Sequence, residues 1–272
     1  MTKAKKLMPV IKWTGSKRSQ AETIVSYFPE NINTYYEPFL GGGSVMGIAN
    51  FKKAVCGDIC KPLIELWEEI KTRPNDVSKI YEGNWNKLQK IGYTYYYDVR
   101  DQFNKNGDPN KFLFLTRTCC NGLIRFNKNG EFNNSFHVTR KGINPKTLNK
   151  IIDEWSSRIQ NVKFIIGDYR ETTKTAKKGD LVYLDPPYFY NKDRYSSDLN
   201  YEEFLKFLED LNKREIKYVL SFDGSRGDKN YNIEIPSNLY KRKFTIKAGN
   251  SSVNNVLNQK KEMVFESLYL NW

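Results

Sequence analysis

Histidine is nearly absent from this 272-residue chain: His137 is the only one. A histidine-rich metal centre is therefore excluded. The four cysteines, Cys56, Cys60, Cys119 and Cys120, lack the paired short spacings of a zinc site. Adjacent Cys119 and Cys120 also argue against a secreted disulfide framework, so reduced core or interface thiols are expected. No apolar run approaches the roughly 18 residues of a membrane helix. The N-terminal MTKAKKLMPVIKW has no signal-peptide apolar segment. A soluble, cytoplasmic protein without a membrane partner is the expectation.

Acidic side chains are the minority, with 31 Asp and Glu against 44 Lys and Arg and a formal charge of +13. Such a surplus favours a polyanionic partner, most simply nucleic acid, through counterion release at phosphates. It carries no sequence preference. The 18 tyrosines and 16 phenylalanines serve cores and base stacking alike. The length suits one large domain or a domain with a smaller insertion.

The stretch Asp180 to Tyr190, DLVYLDPPYFY, organises the rest. Leu181, Val182, Tyr183 and Leu184 are too few for a helix and predict a short buried strand. Asp185 then sits at its carboxyl end, where ligands of open α/β sheets bind. Pro186 and Pro187 stop the strand and hold the following backbone extended. A carboxylate, outward-facing carbonyls and the ring of Tyr188 can together grip a flat molecule bearing an amino group. A strand followed by a stiff loop is the plainer alternative.

Upstream, Pro9 to Arg18 runs from apolar residues through a turn at Gly15 into a helix with Ala21, Ile24, Val25 and Phe28 inward. Lys12, Trp13 and Lys17 flank that turn and suit an anionic or zwitterionic ligand, or simply solvent. TYYEPFLGGG (Thr34 to Gly43) reads as a strand and a glycine turn that lets backbone approach a ligand, before a helix starting near Ser44. Ala54 to Asp58 reads as a second strand ending in an acid. Strand, glycine turn, helix, strand, acid is the dinucleotide-type order, in which the carboxylate binds ribose hydroxyls. Asp58 follows the glycines by only about 15 residues, and GGG is not the full GxGxxG. Together they modestly favour an adenosine-containing cofactor. Glu37 either contacts that cofactor's amino group or serves as a cap or solvent-facing acid.

Val162 to Ile166 predicts another strand, ending in Gly167-Asp168. Asp168, beside Tyr169, either accepts from an adenine amine or caps the next segment. Asn200 with Glu203 is a capping-box signal. Tyr218 to Phe222 predicts a strand with Asp223-Gly224 as its exit, and Tyr240 to Ile246 and Met263 to Leu270 predict a C-terminal β-hairpin. Ser251, Ser252, Asn254 and Lys260 in its loop suit phosphates or solvent.

Residues 72–144 mix Tyr, Asn, Lys and Gly as an inserted, mainly helical domain with polar loops would. Near their end, Arg125, Lys128, Arg140 and Lys141 interleave with Phe126, Phe132 and Phe136. A solvent-facing loop is one reading, and a DNA-reading hairpin is the other. Arg125 is the best base-reading candidate, because a guanidinium forks onto guanine and apolar neighbours can hold it still.

In these segments the chain resembles the Dam-type family of DNA adenine-N6 methyltransferases (D12 class), in the alpha order that places cofactor segments before recognition and catalytic ones. The carriers are KWTGSK (Lys12 to Lys17), EPFLGGGSV (Glu37 to Val45), GDI (Gly57 to Ile59), NGLIRFNKNGEFNNSF (Asn121 to Phe136), Gly167-Asp168 and DPPY (Asp185 to Tyr188). The resemblance implies S-adenosylmethionine on a Rossmann-like α/β sheet spanning residues 1–71 and 145–272, with residues 72–144 as the inserted recognition domain. It puts Lys12, Trp13, Gly15 and Lys17 near the cofactor. Glu37, Phe39 and the turn from Gly41 to Gly43 fall around its methionine part. Asp58 and Ile59 fall at the ribose, and Asp168 and Tyr169 at the adenine. Asp185, Pro186, Pro187 and Tyr188 are the catalytic motif.

Arg125 matches the arginine that reads guanine in relatives of GATC specificity. Cys120, Asn121, Gly122, Leu123 and Asn127 share its segment as expected DNA contacts, followed by Asn133, Ser135 and His137. Cys120 stands where relatives can carry a wedging tyrosine, and Ser135-Phe136-His137 replaces a PFG run. Both departures bear on the target sequence rather than the chemistry. The expected activity is methyl transfer to N6 of a flipped adenine in double-stranded DNA, at GATC, by a monomer on DNA that shares its site with a cognate restriction endonuclease if one exists. Cytosine-N4 or RNA amino-methylation, or an inactive nucleic-acid-binding module, are the alternatives.

Overall fold

The computed structural model describes residues 6–49, 51–139, 141–187, 199–226, 229–230, 235–250 and 263–272. The described strands are β1 (Tyr35–Glu37), β2 (Ala54–Asp58), β3 (Val162–Ile166), β4 (Leu181–Leu184), β5 (Lys217–Arg226), β6 (Lys229–Asn230), β7 (Arg242–Asn250) and β8 (Met263–Leu270). They form one sheet in the order β3-β2-β1-β4-β5-β8-β7, with β6 beside β5. The first five run parallel, whereas β8 and β7 join antiparallel as the expected terminal hairpin.

Strand alternation explains why this sheet is buried on both faces. Tyr35, Leu181, Tyr183, Val219, Leu268 and Leu270 enter one core, while Tyr36, Val182, Leu184, Tyr218, Leu220 and Tyr269 enter the other. The second core is closed by α7 (Tyr169–Thr173) and α8 (Tyr201–Lys213), the latter capped by Asn200 as its sequence predicts. The first is covered by α1 (Ala21–Ser26), α2 (Lys61–Thr72) and α6 (Pro145–Arg158). Between α2 and α6 lie α3 (Pro74–Ile91), α4 (Tyr93–Asn106) and α5 (Pro109–Thr118), whose Val77, Tyr81, Tyr96 and Phe112 continue the same core.

Two local expectations are corrected. Residues after Gly43 form successive turns rather than a helix. Gly43 enters these turns at φ +64°, and the Trp155 ring packs on Gly47, where a Cβ would lie 2.5 Å from it. Strand β5 does not exit at Asp223-Gly224 but continues to Arg226, with a bulge between Phe222 and Gly224 keeping it paired to β8.

The strand order reverses between β1 and β4. Consecutive segments leave the sheet to opposite sides there, which opens a crevice at the carboxyl ends of the strands. Glu37 ends β1 and Asp185 follows β4, so the topology brings both acids to that crevice.

Candidate active site

Asp185 stands at the end of a fully buried strand, followed by buried Pro186 and half-buried Pro187. Its Oδ1 lies 2.9 Å from Lys17 Nζ, and the same ammonium lies 3.0 Å from Glu266 Oε1 on β8. Burial pushes the Asp185 carboxyl up to about 6; Lys17 opposes that rise and Glu266 adds to it. Beneath it, the Tyr183 hydroxyl meets Ser221 Oγ at 3.0 Å. Tyr188 lies outside the described residues.

Glu37 is 3% exposed and accepts from the Tyr35 hydroxyl at 2.8 Å. Burial raises its pKa to about 8; hydrogen bonds from Tyr35 and the Met46 backbone oppose the rise, and neighbouring Asp185 reinforces it. The folded protein thus retains a proton that the unfolded chain releases near 4.5. Stability is fully present below that pH and is lost as pH climbs toward 8. Thermal melts of the ligand-free protein should show a Tm falling between about pH 5 and 8. Glu37→Gln should flatten the decline, and an equal slope in both proteins would contradict the buried neutral acid.

The glycine turn is shaped by Trp13. Gly41 has φ +47°, and a Cβ there would lie 2.5 Å from Trp13 Nε1. Gly41 O accepts from Trp67 Nε1 at 3.2 Å, while Gly41 N donates to Asp58 Oδ2 at 3.0 Å. Asp58 Oδ1 accepts from Cys60 N at 3.0 Å, so this acid ties the turn to the end of β2. Each oxygen keeps a lone pair for a further donor. Ile59 next to it is 57% exposed, as is Ile166 at 48% on the adjacent strand end. Phe39 is half-buried and faces the Tyr169 ring at 5.7 Å, while Tyr169 itself is core.

Asp168 caps α7: its Oδ1 accepts from Arg170 N and Glu171 N, and its Oδ2 from the Arg170 guanidinium at 2.7 Å. Burial raises its pKa, but the Glu171 N–H and Arg170 outweigh this and leave it below the usual range. Gly15 has φ +80° and an open surround. The Lys12 side chain lies against Gly122, where a Cβ would be 2.5 Å from it.

The region around Arg125 is a narrow hairpin, with bridges Cys119–Phe136 and Phe126–Phe132. Ile124 and Phe132 point inward and are buried, leaving Arg125 and Asn133 exposed opposite one another. Asn104 fixes the hairpin to α4 by accepting from Phe132 N and donating to Phe132 O. Asn121, Leu123 and Ser135 are also exposed, Cys120 and His137 are half-buried, and Gly122 is buried. Asn127 is used internally: its Oδ1 accepts from Asn129 N and Glu131 N, and its Nδ2 reaches Glu131 at 2.8 Å. Ser251, Ser252, Asn254 and Lys260 lie outside the described residues.

Sequence reasoning missed Glu266 and Asn134. Asn134 donates to the carbonyls of Cys120 and Leu123, which fixes the hairpin's entry. Asn134 lies within the NGLIRFNKNGEFNNSF stretch but is not singled out by it, and Glu266 carries no motif. The one available signal for Glu266 is an acid at a buried position of a mostly apolar strand.

Comparison with known proteins places the chain among DNA methyltransferases. The family described as D12 class N6 adenine-specific DNA methyltransferase matches residues 13–256. A Type II methyltransferase of Methanocaldococcus jannaschii is 30% identical over 300 residues, covering 97% of this chain and 99% of that protein. A second Type II methyltransferase, from Lactococcus lactis subsp. cremoris, is 31% identical over 67% of this chain and 66% of its own length. A DNA adenine methylase of Vibrio cholerae is 33% identical over 68% of this chain and 66% of its own.

Proposed function

The chain belongs to the D12 class of N6 adenine-specific DNA methyltransferases, and from that membership we propose that Asp185 grips the N6 amine of a flipped adenine beside a bound S-adenosylmethionine. The observation that carries this reading is the pair of buried acids, Glu37 and Asp185, at the strand-order reversal. The residues there fit the cofactor. Glu37 suits its ammonium group, the turn at Gly41 offers backbone without side chains, and Asp58 has acceptor capacity left for ribose hydroxyls. Ile59 and Phe39 offer apolar surface to a flat base, and Asp168 can take its amine if Arg170 yields.

S-adenosylmethionine supplies an electrophilic methyl group. The protein's task is to make N6 a competent nucleophile, because its lone pair is delocalised into the ring. With Oδ1 held by Lys17, Asp185 accepts one N6 hydrogen through Oδ2, and the Pro186 carbonyl accepts the other. Both bonds draw the nitrogen toward tetrahedral geometry and free its lone pair for in-line attack. Asp185 needs no strong basicity, since N6 becomes acidic as its bond to the methyl carbon replaces the carbon–sulfur bond, leaving a thioether, and the surplus N6 proton can leave through Oδ2 to water. Extrusion of the base from the duplex is the prerequisite.

Residues 72–144 are the recognition domain in this reading, with Arg125 on guanine and the exposed hairpin edge at the target. The protein acts as a soluble, cytoplasmic monomer on double-stranded DNA. The Type II names of two relatives support a modification role alongside a restriction endonuclease of the same site. Single-molecule sequencing of DNA from cells expressing the protein tests this, against an unmodified control. N6-methyladenine at GATC is expected. N4-methylcytosine or unmodified DNA would overturn the chemistry, while N6-methyladenine at another motif would replace only the target.

A further inference from the structure

Asp185 is not the only acid at the reacting end of the site. Three carboxyl groups converge there: Glu37 ends β1, Asp185 follows β4 and Glu266 lies on β8. One ammonium, Lys17, enters from the N-terminal turn. Its side chain is 8% exposed, as is that of Glu266, and Asp185 is 20% exposed. Lys17 and Glu266 are 249 residues apart in sequence, yet their side chains meet at 3.0 Å in the interior. Burying such groups is costly, and a lone lysine in a core is rarely neutral in effect.

We propose that Lys17 and Glu266 form a positioning pair for methyl transfer, in which Glu266 anchors Lys17 and Lys17 holds Asp185 ionised with Oδ2 presented to the target amine. The proposal rests on the reading of Asp185 as the amine's acceptor. It also assigns the C-terminal hairpin a part in the chemistry, beyond covering the sheet edge.

The argument is electrostatic and geometric. An amine offers two N–H donors, so its partner must be an acceptor. A protonated carboxyl presents an O–H that competes for that place. Burial and the neighbouring acids favour that protonated form. Lys17 is the opposing charge, at 2.9 Å from Oδ1. By occupying Oδ1 it also fixes the rotation of the carboxylate, which leaves Oδ2 as the oxygen for substrate. Glu266 has two opposed effects. It stops the flexible lysine from leaving the site, and its negative charge raises the Asp185 pKa. Among the described residues, the remaining titratable groups facing Asp185 are Glu37 from β1 and Tyr183 from β4.

Removing either partner therefore moves the acid limb of the reaction, and in opposite directions. Single-turnover methyl transfer, with saturating duplex and S-adenosylmethionine, should be measured from about pH 5 to 9. Wild type should lose rate as Asp185 protonates near pH 6. Lys17→Met should shift that limb upward by about one unit or more, so that its deficit at low pH is at least roughly tenfold larger than at high pH. Lys17→Arg should return it toward wild type. Glu266→Gln should shift it downward, while lowering the plateau rate because Lys17 is less well held.

A structural role alone would depress the rate at every pH and leave the limbs in place. Unmoved limbs in both variants would overturn the proposal, as would a flat wild-type profile. If Lys17→Met does not fold, Glu266→Gln carries the test through its downward shift. Asp185→Ala separates the underlying reading, because it leaves no side-chain acceptor: near-normal turnover there removes Asp185 as acceptor. An inactive Asp185→Ala with unmoved limbs in the other variants removes only the positioning pair.

Discussion

Replacing Asp185 with alanine should lower the rate of methyl transfer by roughly 10³-fold, the scale of losing a preorganised polar contact to the reacting atoms together with proton handling. Duplex and cofactor affinity should change by less than about tenfold. The asymmetry follows from where the carboxylate sits. It follows β4, paired to Lys17, and the four strand residues before it are buried on their own account. Lys17 keeps Glu266 at 3.0 Å when Asp185 is gone, so the substitution does not strand a buried charge. The expected protein is folded, binds both ligands and is almost inactive. Filter binding and single-turnover assays on the same preparation measure the two quantities. Parallel losses of binding and rate would instead make Asp185 a structural residue.

The second large effect concerns stability. Trp155→Ala should destabilise the fold by about 3–5 kcal/mol, the usual range for deleting a large buried aromatic. Trp155 is 2% exposed and lies 4.9 Å from the Trp67 ring. It fills the space where Gly43 and Gly47 have no side chains, and its Nε1 donates to Met8 O at 2.7 Å. One side chain on α6 thus supports both the N-terminal segment leading to Trp13 and the turn after β1. Its loss leaves a cavity and an unsatisfied carbonyl. Calorimetry should show Tm lower by roughly 10 °C for a chain of this size. Trp155→Phe, which keeps most of the ring and loses the donor, should cost only about 1 kcal/mol. A Trp155→Ala protein with wild-type Tm would mean that the turn is held by other contacts.

Much of the fold could be read from local sequence, because its parallel strands are short apolar runs stopped by recognisable breakers. Leu181 to Leu184 before Asp185-Pro186-Pro187 is such a case, and so is Ala54 to Cys56 before Gly57-Asp58. Helices α6 and α8 were visible from apolar spacing, and α8 also from its Asn200 cap. What escaped was interaction across the chain. Nothing near Lys17 announces Glu266, and nothing near Arg117 announces that its guanidinium donates to the backbone carbonyls of Pro9 and Val10. The turn after Gly43 reads locally as a helix start, and nothing near it announces that its glycines pack against Trp155, more than a hundred residues away. Asn127 shows a related ambiguity. Its type suits base reading, but here its amide is engaged in holding its own turn.

The most direct measurement is the structure of the protein bound to a duplex containing its site and a non-reactive analogue of the methyl donor. The account predicts an adenine outside the base stack, with N6 within about 3 Å of Asp185 Oδ2 and of the Pro186 carbonyl oxygen, while Oδ1 stays on Lys17. A complex that is active in the crystal with the natural donor, yet has its target base far from Asp185, would contradict it.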